Sequence, residues 1–322
     1  MHAIALWIVT LPTAAQAEQP KRLPQVGLLV PPPPAGYDPA NNPFSQAMLE
    51  GLKGLGYVEG QSIHVDLRLA TKPDEAAAMA RDLVEHKVDV IVAVGQELIE
   101  AAKRATDSIP IVILDCDRVE RLVATIARPG GNITGMACIS SDLAAKRLQL
   151  LQQIVPRLSR VAVLFNGGVQ AKVDELQDIV AAAKTLEIEV QPADVRDASG
   201  FTTVFAAIKG RNPQALIALA EPLTFQHIGE IAAFAAEQHL PSTFGFREFC
   251  DAGGLLCYGS NLKLQFGRFG YFIDKILKGT KPGEIPIEEP TALELIVNAR
   301  VGKSLGIALP TSILISAHEL IE

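Results

Sequence analysis

The chain has 322 residues, 48% of them hydrophobic and 20% charged, with a formal charge of -7. That balance belongs to a folded protein with an ample core and excludes a disordered chain, and the length favours two domains over one. Lys and Arg are scattered under a net negative charge, which excludes a nucleic-acid surface, where basic side chains must concentrate against phosphate.

Met1 to Ala17 begins with an apolar stretch (Ala3 to Val9), passes Pro12 and reaches Ala15-Gln16-Ala17. The apolar part is too short to span a bilayer and ends at a small-x-small site, the shape of a signal peptide. Residues 1–17 are therefore expected to direct export. His2 stands where Lys or Arg is usual, as it would if the true start codon lay upstream. No Cys follows Ala17 to carry a lipid anchor, and no later stretch reaches about 20 uninterrupted apolar residues, so the mature chain is expected to be soluble.

From Val26 onward, short apolar runs alternate with longer helical patterns, the signature of βαβ units and a mostly parallel sheet. The fold class is α/β. Strands are expected at Val26–Val30, Ile63–Leu69, Asp89–Val94, Ile109–Leu114 and Ile133–Ala137, with helices at Phe44–Leu55, Asp74–His86, Glu97–Thr106 and Val119–Ala127. A helix over Asp142–Val155 leads to a second series, with strands at Arg160–Phe165, Glu189–Val195, Ala215–Ala220, Ser242–Phe246 and Leu255–Tyr258. Helices at Gln170–Leu186, Gly200–Lys209 and Thr224–His239 separate them. The join near Ile139–Asp142 is short and lacks a Pro/Ser-rich linker, so the halves are expected to adjoin with hinge-like crossings. The tail holds a helix at Leu264–Leu277, a Pro-rich connection at Gly279–Pro290, a strand at Leu293–Val297 and a short helix at Ala299–Leu305. It is too small for a core of its own and must pack onto the two lobes.

Ligands of open parallel sheets bind beyond the carboxyl ends of the strands. The loops at those ends carry Tyr37, Gln96 and Asp115 in the first half, and Asn166, Glu221 and Phe246 in the second. These six are the candidate ligand-binding residues for a small polar molecule with an apolar part. Helix N-termini suit a carboxylate, acids an ammonium and aromatics the side chain. Tyr37 also fits a packed surface loop, and Asp115 and Asp117 also fit helix caps.

Export permits disulfides, and Cys250 and Cys257 would be close if Ala252–Gly254 forms a turn between them; all four cysteines suit small buried hydrophobes at least as well. The six histidines show no metal spacing. The chain lacks a G-x-S-x-G elbow, a phosphate-binding G-x-x-x-x-G-K-[ST] loop and an H-E-x-x-H helix, and the first strand is followed by Pro31–Pro34 where a dinucleotide site needs glycines. Neither catalytic residue, metal nor cofactor is expected.

Several motifs carry a family resemblance. They are Ala127-Arg128-Pro129-Gly130-Gly131-Asn132-Ile133-Thr134-Gly135, Arg247-Glu248-Phe249 with Ala252–Leu255 and Tyr258-Gly259, and Lys275–Gly279 with Lys281-Pro282 and Ile285-Pro286. Gly54–Gly60, Pro290-Thr291 with Leu293–Leu295, and Leu305–Ile307 extend the match over nearly the whole mature chain. In these the chain resembles the ABC transporter substrate-binding proteins, including the TrpX-type aromatic amino acid binders. It departs from them at Asn166-Gly167-Gly168-Val169, where Asn-Pro-x-Asn is usual, and in the four-proline loop.

The resemblance implies a type I periplasmic-binding-protein clamshell: two Rossmann-like lobes with parallel sheets and three crossovers. Lobe 1 would take residues 23–140 with about 261–283, and lobe 2 residues 141–260 with about 284–322. It implies a monomeric, non-enzymatic periplasmic protein that captures a small molecule, such as an amino acid or related carboxylate, for an ABC permease in the inner membrane. A ligand-sensing module for a receptor, or an α/β enzyme using the same cleft, is the alternative.

Overall fold

The structure is a computed structural model that describes residues 22–38, 42–70 and 72–322. The expected signal peptide lies outside them. Alternation of apolar strands with amphipathic helices gives two sheets. The first unit runs β1 (Gln25–Val30), α1 (Pro43–Gly54), β2 (His64–Leu69), α2 (Pro73–Glu85), β3 (Val90–Val94), α3 (Gln96–Ala105), β4 (Ile111–Asp115) and β5 (Ile133–Ala137). Its strands are all parallel, in the order β2-β1-β3-β4-β5. Burial on both faces explains why β3 and β4 are nearly continuous Val/Ile runs.

The second unit follows as α4 (Ala144–Ile154), β6 (Arg160–Phe165), α5 (Gln170–Thr185), β7 (Glu189–Asp194), α6 (Phe201–Arg211), β8 (Ala215–Ala218), α7 (Pro222–Gln226), α8 (Ile228–Glu237), β9 (Ser242–Phe244), α9 (Arg247–Asp251) and β10 (Leu256–Gly259). Then α10 (Leu262–Leu277) returns to the first unit, before β11 (Glu294–Asn298), α11 (Ala299–Ser304), α12 (Thr311–Ser316) and β12 (Glu319–Ile321) complete the second sheet. Its order is β12-β11-β10-β9-β8-β6-β7, parallel except where β11 runs antiparallel to β10.

Helix α10 lies against α1 so closely that a methyl group on Gly270 would sit 2.7 Å from the carbonyl carbon of Gly51. Only glycine permits that approach. One apolar cluster runs through both units, from Phe44, Phe266 and Phe269 of the first to Phe201, Phe244 and Phe246 of the second.

Two helix expectations change. The helix expected over Val119–Ala127 is only a 3₁₀ turn at Val119–Arg121, because the following backbone is bonded elsewhere. The Ala124 N–H donates to the Pro129 carbonyl, and the Ile126 carbonyl accepts the Ile287 N–H. The helix expected over Thr224–His239 breaks at His227 into α7 and α8. Near the end of the chain, Thr134 Oγ1 donates to the Ile285 carbonyl and the Glu288 N–H to that of Gly135. Residues 285–288 thus belong with the first sheet.

Both cysteine pairs form disulfides, Cys116 with Cys138 and Cys250 with Cys257. The first ties the end of β4 to the start of the first crossing, a pairing that linear spacing gave no reason to expect.

Candidate functional site

A cavity of about 720 Å³ lies between the two sheets, at the carboxyl ends of their strands. The first unit contributes Pro31–Pro33, Phe44, Gly95, Gln96 and Asp117; the second contributes Asn166, Gly168, Glu221, Phe225 and Phe246. The units meet across it. A methyl group on Gly95 would lie 3.4 Å from Pro222 Cγ, and the rings of Phe44 and Phe225 stand 5.9 Å apart. Phe266 packs 5.3 Å from Phe44, and Phe246 lies edge-on to Phe225 at 5.9 Å. These four rings give the cavity an apolar aromatic wall.

Gln96 opens α3 directly after Gly95, whose φ of +88° turns the chain sharply from β3 and suits a residue without Cβ. No side chain caps this helix. The Gln96 Nε2 donates to Glu100 Oε1 at 3.2 Å, whereas its buried Oε1 has no partner within the protein. An orphaned acceptor on a cavity wall is costly unless something entering the cavity donates to it.

Asn166 follows β6 and shapes its turn by accepting the Gly168 N–H at 2.9 Å. Glu221 follows β8 and caps α7, accepting the Leu223 and Thr224 N–H groups at 3.0 Å each in a capping box. Burial raises the Glu221 pKa, while those N–H donors and the Lys172 ammonium work against the rise. Phe246 is the residue before α9, its ring among the cavity aromatics.

Four of the six expected residues, Gln96, Asn166, Glu221 and Phe246, therefore share one cavity. The other two do not line it. Asp115 ends β4 between Leu114 and Cys116, both of which line the cavity, and the two-residue period of a strand sends it to the opposite face. There it is 1% exposed, and burial with the nearby Asp117 carboxylate pushes its pKa up to about 7. Tyr37 sits on the rim, its ring 6.5 Å from Phe44. Its pKa is raised by burial and then by Glu248 and Asp251 of the other unit.

Sequence reading missed the wall residues Phe44, Phe225 and Phe266, because an apolar position on an amphipathic helix looks the same whether it meets core or cavity. It also missed a buried ion cluster behind the cavity. Lys172, fully buried on α5, lies 2.6 Å from Asp117 and 2.8 Å from Glu175. Glu175 stands 3.7 Å from the equally buried Arg147 of α4, which donates to the Ser140 carbonyl, Ser140 Oγ and the Tyr258 carbonyl. Only the Lys172–Glu175 pair has helical spacing; Asp117 and Arg147 come from two other segments that no local pattern links to it. Among the described residues no group of His, Cys, Asp and Glu could hold a metal, and no helix is long and apolar enough to cross a membrane.

Residues 38–321 match the model of a family described as ABC transporter substrate binding protein. A tyrosine-binding protein of Clostridioides difficile is 26% identical over 274 residues, covering 83% of this chain and 77% of that protein. Two solved structures resemble the fold. A conserved domain protein from Vibrio cholerae gives a TM-score of 0.85 at 24% identity, and an ABC domain in complex with L-Trp from Streptococcus pneumonia gives 0.84 at 18%. Each comparison covers 93% of this chain and 100% of the other. The fold is that of type I periplasmic binding proteins.

Proposed function

Because the chain belongs to the ABC transporter substrate binding protein family, we propose that it is an exported, monomeric capture protein that delivers a small molecule to the permease of an ABC importer. The observation that carries this reading is the placement of the cavity, which has one wall from each unit and lies at the strand ends of both. The chain passes between the units at residues 138–143, 259–262 and 289–293. Such a layout lets two bodies close on a ligand with little change inside either.

Capture needs no catalysis: a ligand that binds the closed arrangement better than the open one shifts the balance toward closure by its differential affinity. In the proposed pose the phenyl groups of Phe44, Phe225, Phe246 and Phe266 take the apolar part of the ligand. Gln96 Oε1 accepts from its polar part, and the Asn166 amide and Glu221 carboxylate line the opposite side. An amino acid with an aromatic side chain has these features, and the tyrosine-binding relative supports that class.

The test is native mass spectrometry of the purified protein, followed by denaturation and identification of any released molecule, with L-tyrosine and L-tryptophan screened by thermal shift. Ligand at a hundredfold excess over Kd stabilises the fold by about 2.7 kcal/mol, enough to move the melting curve. An intact amino acid that raises the melting temperature supports the reading. A chemically altered product would favour an enzyme instead.

A further inference from the structure

Charged pairs join the two units along α5, two on its outer face and one on its buried face. Arg118 Nη2 reaches Asp178 at 2.7 Å and Arg121 Nη2 reaches Asp174 at 2.6 Å, while the buried Lys172 meets Asp117 at 2.6 Å. Asp117, Arg118 and Arg121 follow β4 of the first sheet; Lys172, Asp174 and Asp178 stand on α5, which packs on β6 and β7 of the second. The spacing of four between Asp174 and Asp178 puts both on one helix face. Asp174 is further held by the Gln170 amide at 2.8 Å, and its pKa is lowered first by the Arg121 hydrogen bond and then by that of Gln170.

The buried part of this network begins at the ligand cavity, which Asp117 lines, and leads into the crossings. Through Lys172 and Glu175 it reaches Arg147, which grips Ser140 in the first crossing and Tyr258 just before the second. Burying these ions is expensive, and buried ion pairs often give no more stability than hydrophobic side chains of similar size. What the charges add is a preferred relative placement of the two units, because a rotation about the crossings alters all three inter-unit distances together.

We propose that Arg118 and Arg121 are positioning residues for ligand capture: with the buried Asp117–Lys172 pair they form an electrostatic catch that holds the first unit against α5 and sets the ratio of closed to open protein. The proposal rests on the reading of the molecule as a closing clamshell, but the side chains exchanged in its test, Arg118, Arg121, Asp174 and Asp178, do not line the cavity. Arg118 and Arg121 are about half exposed, so the catch is expected to weaken with salt, while the buried pair is screened less.

The test uses charge reversal and charge exchange. Ligand-stripped wild-type protein, R118E/R121E, D174R/D178R and the combined four-residue exchange are measured by small-angle X-ray scattering at low and high salt, with circular dichroism to establish that each is folded. Each reversal replaces two attractions by two repulsions and is expected to lower the closed-to-open ratio about tenfold, enlarging the radius of gyration. The exchange restores the opposite-charge pairs and is expected to return the wild-type curve at low salt. A purely structural role for these positions would not be rescued by exchange. Reversed variants that scatter like wild type, or an exchange variant as expanded as the reversals, would overturn the proposal. No ligand enters the measurement, so it can succeed or fail independently of whether L-tyrosine binds.

Discussion

The Lys172 ammonium lies 2.6 Å from Asp117 Oδ1, joining a residue on the cavity wall to a fully buried cation of the other unit. Burial works against the ammonium, but Glu175 and Asp117 outweigh it and leave the Lys172 pKa above its ordinary value. A raised folded pKa contributes stability that is present below the unfolded value and lost only as pH rises through the folded one. The pair is therefore intact throughout the neutral range. Lys172→Met removes the cation closest to both Asp117 and Glu175, leaving Glu175 only Arg147 at 3.7 Å, and is expected to cost about 3–5 kcal/mol by urea denaturation at pH 7. A loss under 1 kcal/mol would mean that water reaches the cluster.

Gln96 offers the opposite case, a polar atom whose loss should improve the empty fold. Replacing it by Leu removes the orphaned Oε1, so the melting temperature without ligand is expected to hold or rise. Affinity for the ligand identified by mass spectrometry should fall about tenfold in calorimetry, the usual scale for one lost hydrogen bond to a buried acceptor. Unchanged affinity would remove Gln96 from the contact set.

Phe225 faces Phe44 across the closing line and stands edge-on to Phe246 of its own unit. Phe225→Ala is expected to weaken ligand binding by one to two decades, about 1.4–3 kcal/mol, since it removes both ligand contact area and a cross-cleft ring pair. Measured with the same calorimetric assay, a smaller effect than that of Gln96→Leu would place the apolar part of the ligand elsewhere.

Glu248 is buried on α9 with its Oε2 unpartnered, and burial, then the Asp251 carboxylate, helps push its pKa up to about 7. The folded value is raised, so this stability is fully present below the unfolded carboxylate range and lost as pH rises from about 4 through 7. Asp115, also raised to about 7, acts in the same direction. Glu248→Gln is therefore expected to raise stability at pH 8 by about 2 kcal/mol and to flatten the pH dependence of the denaturation midpoint between about 4 and 7. An unchanged slope would mean that the carboxyl is hydrated in solution.

The disulfides differ in the length of chain they close, 22 residues for Cys116–Cys138 and 7 for Cys250–Cys257. Restriction of the unfolded chain predicts losses of about 3 and about 2 kcal/mol when each pair is replaced by serines. Denaturation of the two double variants checks the order.

Local sequence determined the alternation of strand and helix, the doubling of that pattern, and the loops at the strand ends where four candidate residues meet. These follow from periodicity and turn chemistry, which act over a few residues. The broken helix after Val119 was not legible, because what ends it is an interaction with Ile287 far along the chain. Nor was the turning of Asp115 away from the cavity, since which face of β4 meets the other unit depends on packing. The aromatic wall is wholly tertiary, and in the Asp117–Lys172–Glu175–Arg147 cluster only the Lys172–Glu175 pair is local. Their members come from separate segments, each bland by itself, and only the closing of two sheets on one another brings their side chains within range.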